Sequence, residues 1–275
     1  MLFLVVAAGT AIADDQTIAA DVERGQQLWD QSCPVATVDG ACVRLVSKPR
    51  VRAAVPSYCG PEDVPEIVVV PRDATKAGAA VAAFHDAIGQ FEAHGGDARA
   101  FARAKLADAD ADYEAFLAIR IPQHLDFRVK ASTEKLSSWL AAKAAAAGAI
   151  KDKLQRIADL HDPATTIASA ARLGRLALGL INALYSEIPA ELKTNIDAVD
   201  RYCDRLVETS EHFEQEAFDS FKRCLGLSTK LAWFDDSSRI CERELSRIRP
   251  LDYPLVTEHH VDPTVTAPIE VEGPR

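Results

Sequence analysis

Apolar positions recur at helical spacing over most of the chain. Leu192, Ile196, Val199, Cys203 and Leu206 step by 4, 3, 4 and 3, while Leu136, Leu140, Ala147, Ile150, Leu154 and Ile157 form a similar stripe with one break at Lys143. Such stripes predict amphipathic helices that bury one face against neighbours. Proline marks where helices cannot run, because it lacks the backbone donor. Six of the fourteen prolines lie between Pro34 and Pro71, none follows until Pro122, and those at 163, 189 and 250 are spaced like punctuation. The Pro-rich stretch holds two β-branched runs, Cys42-Val43-Arg44-Leu45-Val46 and Glu66-Ile67-Val68-Val69-Val70, which predict a small β-hairpin or meander. The pattern predicts a helix at about 15 to 31, the β insert to 72, then helices near 74 to 94, 97 to 120, 131 to 160, 163 to 187, 190 to 209, 212 to 231 and 236 to 248. Asp162-Pro163 supplies an N-cap followed by proline at the first helical position, and Gly95-Gly96-Asp97 ends one helix and caps the next.

The expected fold is mainly α, built of antiparallel helical hairpins as a solenoid or bundle, with a disulfide-pinned β-hairpin insert near the N-terminus. Four segments follow: a signal-like stretch over 1–13, an N-terminal helix with the Cys/Pro-rich insert over 14–72, a helical repeat-like domain over 73–250, and an extended Pro-rich tail over 251–275. The phrase Ala109-x3-Tyr113-x2-Phe116 ahead of Pro122 resembles the second helix of a tetratricopeptide repeat, and Ala217-x3-Phe221-x2-Cys224 repeats its spacing, without a regular 34-residue period.

Composition narrows the setting. Among 275 residues, 48% are apolar and 47 are Ala, with 7% aromatic residues and a single Met, so the core is built from small and aliphatic side chains on closely packed helices. A net charge of −10 argues against non-specific binding to nucleic acid or an anionic membrane. Residues 1–13 carry no charge and end in Ala11-Ile12-Ala13 before Asp14-Asp15, like a short apolar leader with a small-residue cleavage site but no basic n-region. No later run of 18 apolar residues is present to span a bilayer.

Six cysteines behind such a start point to an oxidising compartment. Cys33, Cys42 and Cys59 lie in the insert, and Cys203, Cys224 and Cys241 in helical sequence. Two odd trios leave either one bridge between the lobes or one free thiol in each. Cys224 and Cys241 flank the Trp233-Phe234 corner about equally, so they are placed to face each other across a hairpin, leaving Cys203 as the odd one.

Candidate chemistry is sparse. No cofactor or metal is called for: H-E-x-x-H, G-x-S-x-G, P-loop and dinucleotide-binding glycine patterns are all missing from the sequence. Asp108, Asp110 and Asp112 resemble the start of a calcium loop but lack its Gly turn and distal Glu, and read as a solvated helix face. Glu208 and His212 read as a surface pair. Arg44, Lys48, Arg50 and Arg52 form the one basic cluster, either a charged edge that blocks strand aggregation or a grip for an acidic partner. Trp233-Phe234 before Asp235-Asp236 reads as an aromatic plug at a helical corner with an N-cap behind it, or as an exposed anchor for a partner.

Several phrases together resemble a known family. They include Ser32-Cys33-Pro34, Ile121-Pro122 before Leu125-Asp126-Phe127, Ala170-Ala171-Arg172-Leu173-Gly174, Tyr202-Cys203-Asp204, and Trp233-Phe234 with Ser238-Arg239 and Cys241-Glu242-Arg243-Glu244-Leu245. Over roughly residues 24 to 258 the chain resembles the C-terminal region of large tetratricopeptide-containing bacterial cell-envelope proteins of the gliding-motility-associated type. The resemblance implies a periplasmic, helical-repeat, non-enzymatic scaffold with protein partners in the envelope and no catalytic residues. The long upstream repeat array is not in this sequence, so the expectation is the terminal module alone or a fragment of a longer protein. The alternatives are a structural end cap and an exported enzyme or metal- or thiol-binding protein using the helical Cys trio.

Overall fold

The computed structural model describes residues 7–37, 40–46, 59, 66–126, 128–186, 188–189 and 191–254. Helices dominate, with one small sheet: α1 (Ala7–Ser32), β1 (Val43–Val46), β2 (Glu66–Val69), α2 (Ala74–His94), α3 (Ala98–Ala118), α4 (Lys130–Ala158), α5 (Pro163–Tyr185), a 3-10 turn (Leu192–Thr194), α6 (Ile196–Leu231) and α7 (Asp236–Ile248). The expected β pair is present as an antiparallel ladder that sets Val43 opposite Val69 and Val46 opposite Glu66. The tail from residue 255 onward lies outside the described residues.

Capping residues start the helices where the sequence placed them. Asp97 accepts the Arg99 N–H, Asp162 accepts the Thr165 N–H ahead of Pro163, and Asp235 with Ser238 forms a reciprocal capping box. Asp73 and Asn195 cap α2 and α6 in the same way. Two helix bounds differ from those expected. α1 begins at Ala7 and not near residue 15. The break expected at 210 and 211 does not occur, and α6 is one helix of 36 residues, about 54 Å long. In its polar midsection Thr209 donates to the Arg205 carbonyl and Ser210 to the Val207 carbonyl, so both hydroxyls are satisfied within the helix.

Consecutive helices pack together, and α1, α3, α5 and α7 also touch in succession, while α2, α4 and α6 lie against their sequence neighbours. α5 is the hub. Its small residues admit large neighbours: the Cβ position of Gly174 lies 2.6 Å from the Phe221 ring of α6, and that of Gly179 lies 3.1 Å from Phe116 of α3. α5 is long and apolar enough to cross a membrane, contrary to the sequence expectation, but 61% of its apolar window is buried inside the protein.

Candidate functional site

All six cysteines are paired: Cys33 with Cys42, Cys224 with Cys241, and Cys59 with Cys203. Of the two arrangements the odd trios allowed, the bridge between lobes is the one present. Cys203 pairs with Cys59 across 144 residues of sequence, and Cys59 N–H also donates to the Tyr185 carbonyl at 3.0 Å. The insert is thereby fastened to the ends of α5 and α6. With no free cysteine left, the helical trio offers no thiol to a metal or a substrate. Among the described residues no group of three or more His, Cys, Asp or Glu is placed to hold a metal ion.

The corner between α6 and α7 turns its aromatic residues outward. Ala232 takes a left-handed conformation at φ 51°, and its N–H and that of Trp233 bond the last carbonyls of α6. Ser228 is buried and donates its hydroxyl to the Trp233 carbonyl. Beyond the turn the capping box starts α7, and the Cys224–Cys241 bridge ties the two helices within the hairpin. This frame leaves Leu231, Trp233 and Phe234 43%, 45% and 70% exposed. The expected aromatic plug is therefore corrected: the rings do not fill the corner. The expected N-cap is present. Trp233 is oriented by an Nε1 bond to Asp235 Oδ2 at 3.2 Å.

The basic cluster is only partly described. Arg44 is exposed on β1, and Lys48, Arg50 and Arg52 lie outside the described residues. Glu208 pairs with Arg205 at 2.7 Å, whereas His212 lines a groove one turn further on.

The alternating aspartates are not a solvated face. Asp110 is 8% exposed and receives both Nε and Nη2 of Arg172. Asp108 bonds Lys153 at 2.7 Å and His85 at 3.0 Å, and Asp112 pairs with the same Lys153. Burial pushes the Asp108 carboxyl up, but the hydrogen bonds and charges of Lys153 and His85 outweigh it and hold it below the usual carboxylate range. Residues two apart in a helix face different ways, so one Asp meets α5 while the others meet α4.

A larger charged interior went unseen in the sequence. Arg72 lies 3.7 Å over the Trp29 ring and satisfies its whole donor fork: Nε and Nη2 on Glu114, Nη1 on the Trp29 carbonyl at 2.5 Å and on Ser32 Oγ at 2.9 Å, and Nη2 on the Gly40 carbonyl at 3.3 Å. Glu114 also accepts the Cys42 N–H at 2.6 Å. Gly40 is required there twice over, by its φ of 81° and because a Cβ would sit 3.0 Å from Asp110. Lys143, read as a break in an apolar stripe, is 1% exposed and donates to the Phe116 and Ile119 carbonyls at the end of α3. Leu140, expected in that stripe, is 44% exposed. The signals available were two acids four apart in a helix crowded with Ala and aromatic residues, and one lysine on an apolar face.

Two adjoining cavities of about 410 and 300 Å³ form a groove between α4 and α6, floored by Ala170 and Leu173 of α5. α4 and α6 flank α5, and the Lys151–Glu216 ion pair reaches across from one wall to the other. No protein family, curated protein or solved structure matches this chain.

Proposed function

We propose that this protein is a non-enzymatic interaction module that docks a protein partner in the bacterial cell envelope, with Trp233 and Phe234 as its anchors. The carrying observation is the α6–α7 corner: two large aromatic side chains, 45% and 70% exposed, on a backbone fixed by a disulfide, a capping box and a left-handed turn. Aromatic anchors already held in place lose little conformational freedom on binding, which is what makes such residues dominate interfaces. Three disulfides are compatible with an exported protein in an oxidising compartment. The tetratricopeptide-like reading is supported by the sequential helix packing and by the α4–α6 groove, the kind of concave strip that takes a partner segment.

The test is site-specific photo-crosslinking from position 234 in envelope preparations of the native source. A discrete adduct that disappears in Trp233→Ala, with unchanged thermal melting, is the expected result. Only diffuse labelling, or an adduct indifferent to Trp233, sinks the corner as a docking element. A parallel variant with Arg44, Lys48, Arg50 and Arg52 changed to Ser asks the same of the basic cluster.

A further inference from the structure

The cavity between α3 and α4 has a lining that helix packing alone does not call for. Phe101, Lys105 and Asp108 come from one face of α3, and Lys153, Arg156, Ile157 and Leu160 from one face of α4 and the turn after it. It encloses about 290 Å³, the lower end of the size range of small-molecule sites. At about 30 Å³ per heavy atom, the volume of a liquid water, it takes roughly ten heavy atoms.

Its apolar part is fixed in place. Ile157 is 2% exposed, and the Phe101 ring stacks on Phe91 with centroids 4.1 Å apart. Its polar part carries three cations from two helices against one carboxylate. Lys153 is neutralised by Asp108 and Asp112, and Lys105 reaches Glu92 at 2.8 Å while lying 5.0 Å over the Phe101 ring. Among the described residues Arg156 has no hydrogen-bond or ion-pair partner. With Lys105 and Lys153 already paired, Arg156 is the cation of this lining left without a carboxylate, and a guanidinium bordering an apolar cavity offers an anion with an apolar body charge-assisted hydrogen bonds for its head and apolar contact for its chain.

We propose that this cavity binds a small organic anion with an apolar body, of the medium-chain carboxylate type. Its carboxylate is received by Arg156 with Lys105 alongside, and its chain lies on Phe101, Ile157 and Leu160. This site is separate from the α6–α7 corner and does not depend on the docking role of that corner.

The experiment is calorimetric titration of the full, disulfide-intact chain with octanoate, and in parallel with octanol and octyltrimethylammonium. Saturable 1:1 octanoate binding is expected, with the neutral and cationic probes at least about tenfold weaker and the affinity falling as salt rises. Arg156→Gln, at an exposed side chain without a partner, should keep the melting temperature and lower octanoate affinity by about tenfold or more. Leu160→Trp should fill the cavity and abolish binding. Absence of saturable octanoate binding, equal binding of the three probes, or octanoate affinity unchanged in Arg156→Gln would overturn the proposal.

Discussion

Lys143 provides the sharpest test of how this fold handles charge. Its ammonium is buried at the junction of α3 and α4, 3.7 Å over the Phe116 ring, and donates to the Phe116 carbonyl, which also accepts the Ile119 N–H, and to the Ile119 carbonyl, which also accepts Trp139 Nε1. Burial pulls its pKa down to about 8 from the ordinary 10.5. Between those two pH values the unfolded chain still holds the proton and the folded chain has released it. Unfolding then takes up a proton, so stability rises with pH from about 8 to about 10.5. At 1.36 kcal/mol per pH unit the full difference sets a ceiling of about 3.4 kcal/mol, and the effective dielectric of a protein interior, higher than that of dry protein, lowers the expected gain to roughly 2 kcal/mol. The assay is urea unfolding of the wild-type chain and of Lys143→Met at pH 7 and pH 10. Other titrating groups cancel in the difference between the two proteins. The wild-type chain should gain roughly 2 kcal/mol on the variant over this interval. A difference that stays flat, or falls, would refute the reasoning and show that the two carbonyls and the ring fully offset the desolvation of the ammonium.

Two further outcomes follow from the same structure. Replacing Cys59 and Cys203 together by Ser should lower stability by about 5 kcal/mol in the chain-entropy description, against about 3 kcal/mol for Cys33 and Cys42, because the bridges close loops separated by 144 and 9 residues; equal denaturant midpoints for the two double variants would contradict this. Glu114→Gln should cost about 3–5 kcal/mol by leaving the Arg72 guanidinium buried without its carboxylate, while adding Arg72→Met should restore part of the loss; additive effects in a double-mutant cycle would show that the pair is not coupled.

Local features were legible in the sequence wherever the physics is local. Asp162-Pro163, Gly95-Gly96-Asp97 and Asp235 act on backbone groups within four residues, so the residues themselves state where helices start and stop. The two β-branched runs found each other across the insert, and Cys224 and Cys241 met across a hairpin 17 residues wide. The small residues of α5 announced close packing, though not that Gly174 would receive Phe221.

Tertiary structure alone decided which polar residues became interior. Asp110 and Arg172 are 62 residues apart, Arg72 and Glu114 42, and Lys143 and the Phe116 carbonyl 27. A charge at a helical position reads as solvated until its distant partner is known, since burial is tolerated only where that partner completes its hydrogen bonds. The pairing of Cys59 with Cys203, the uninterrupted course of α6 and the outward turn of Trp233 and Phe234 belong to the same class. Helix formation is governed by near neighbours along the chain and was written in them. Pairing, burial and exposure are settled by which helices flank which, and that arrangement exists only in the folded protein.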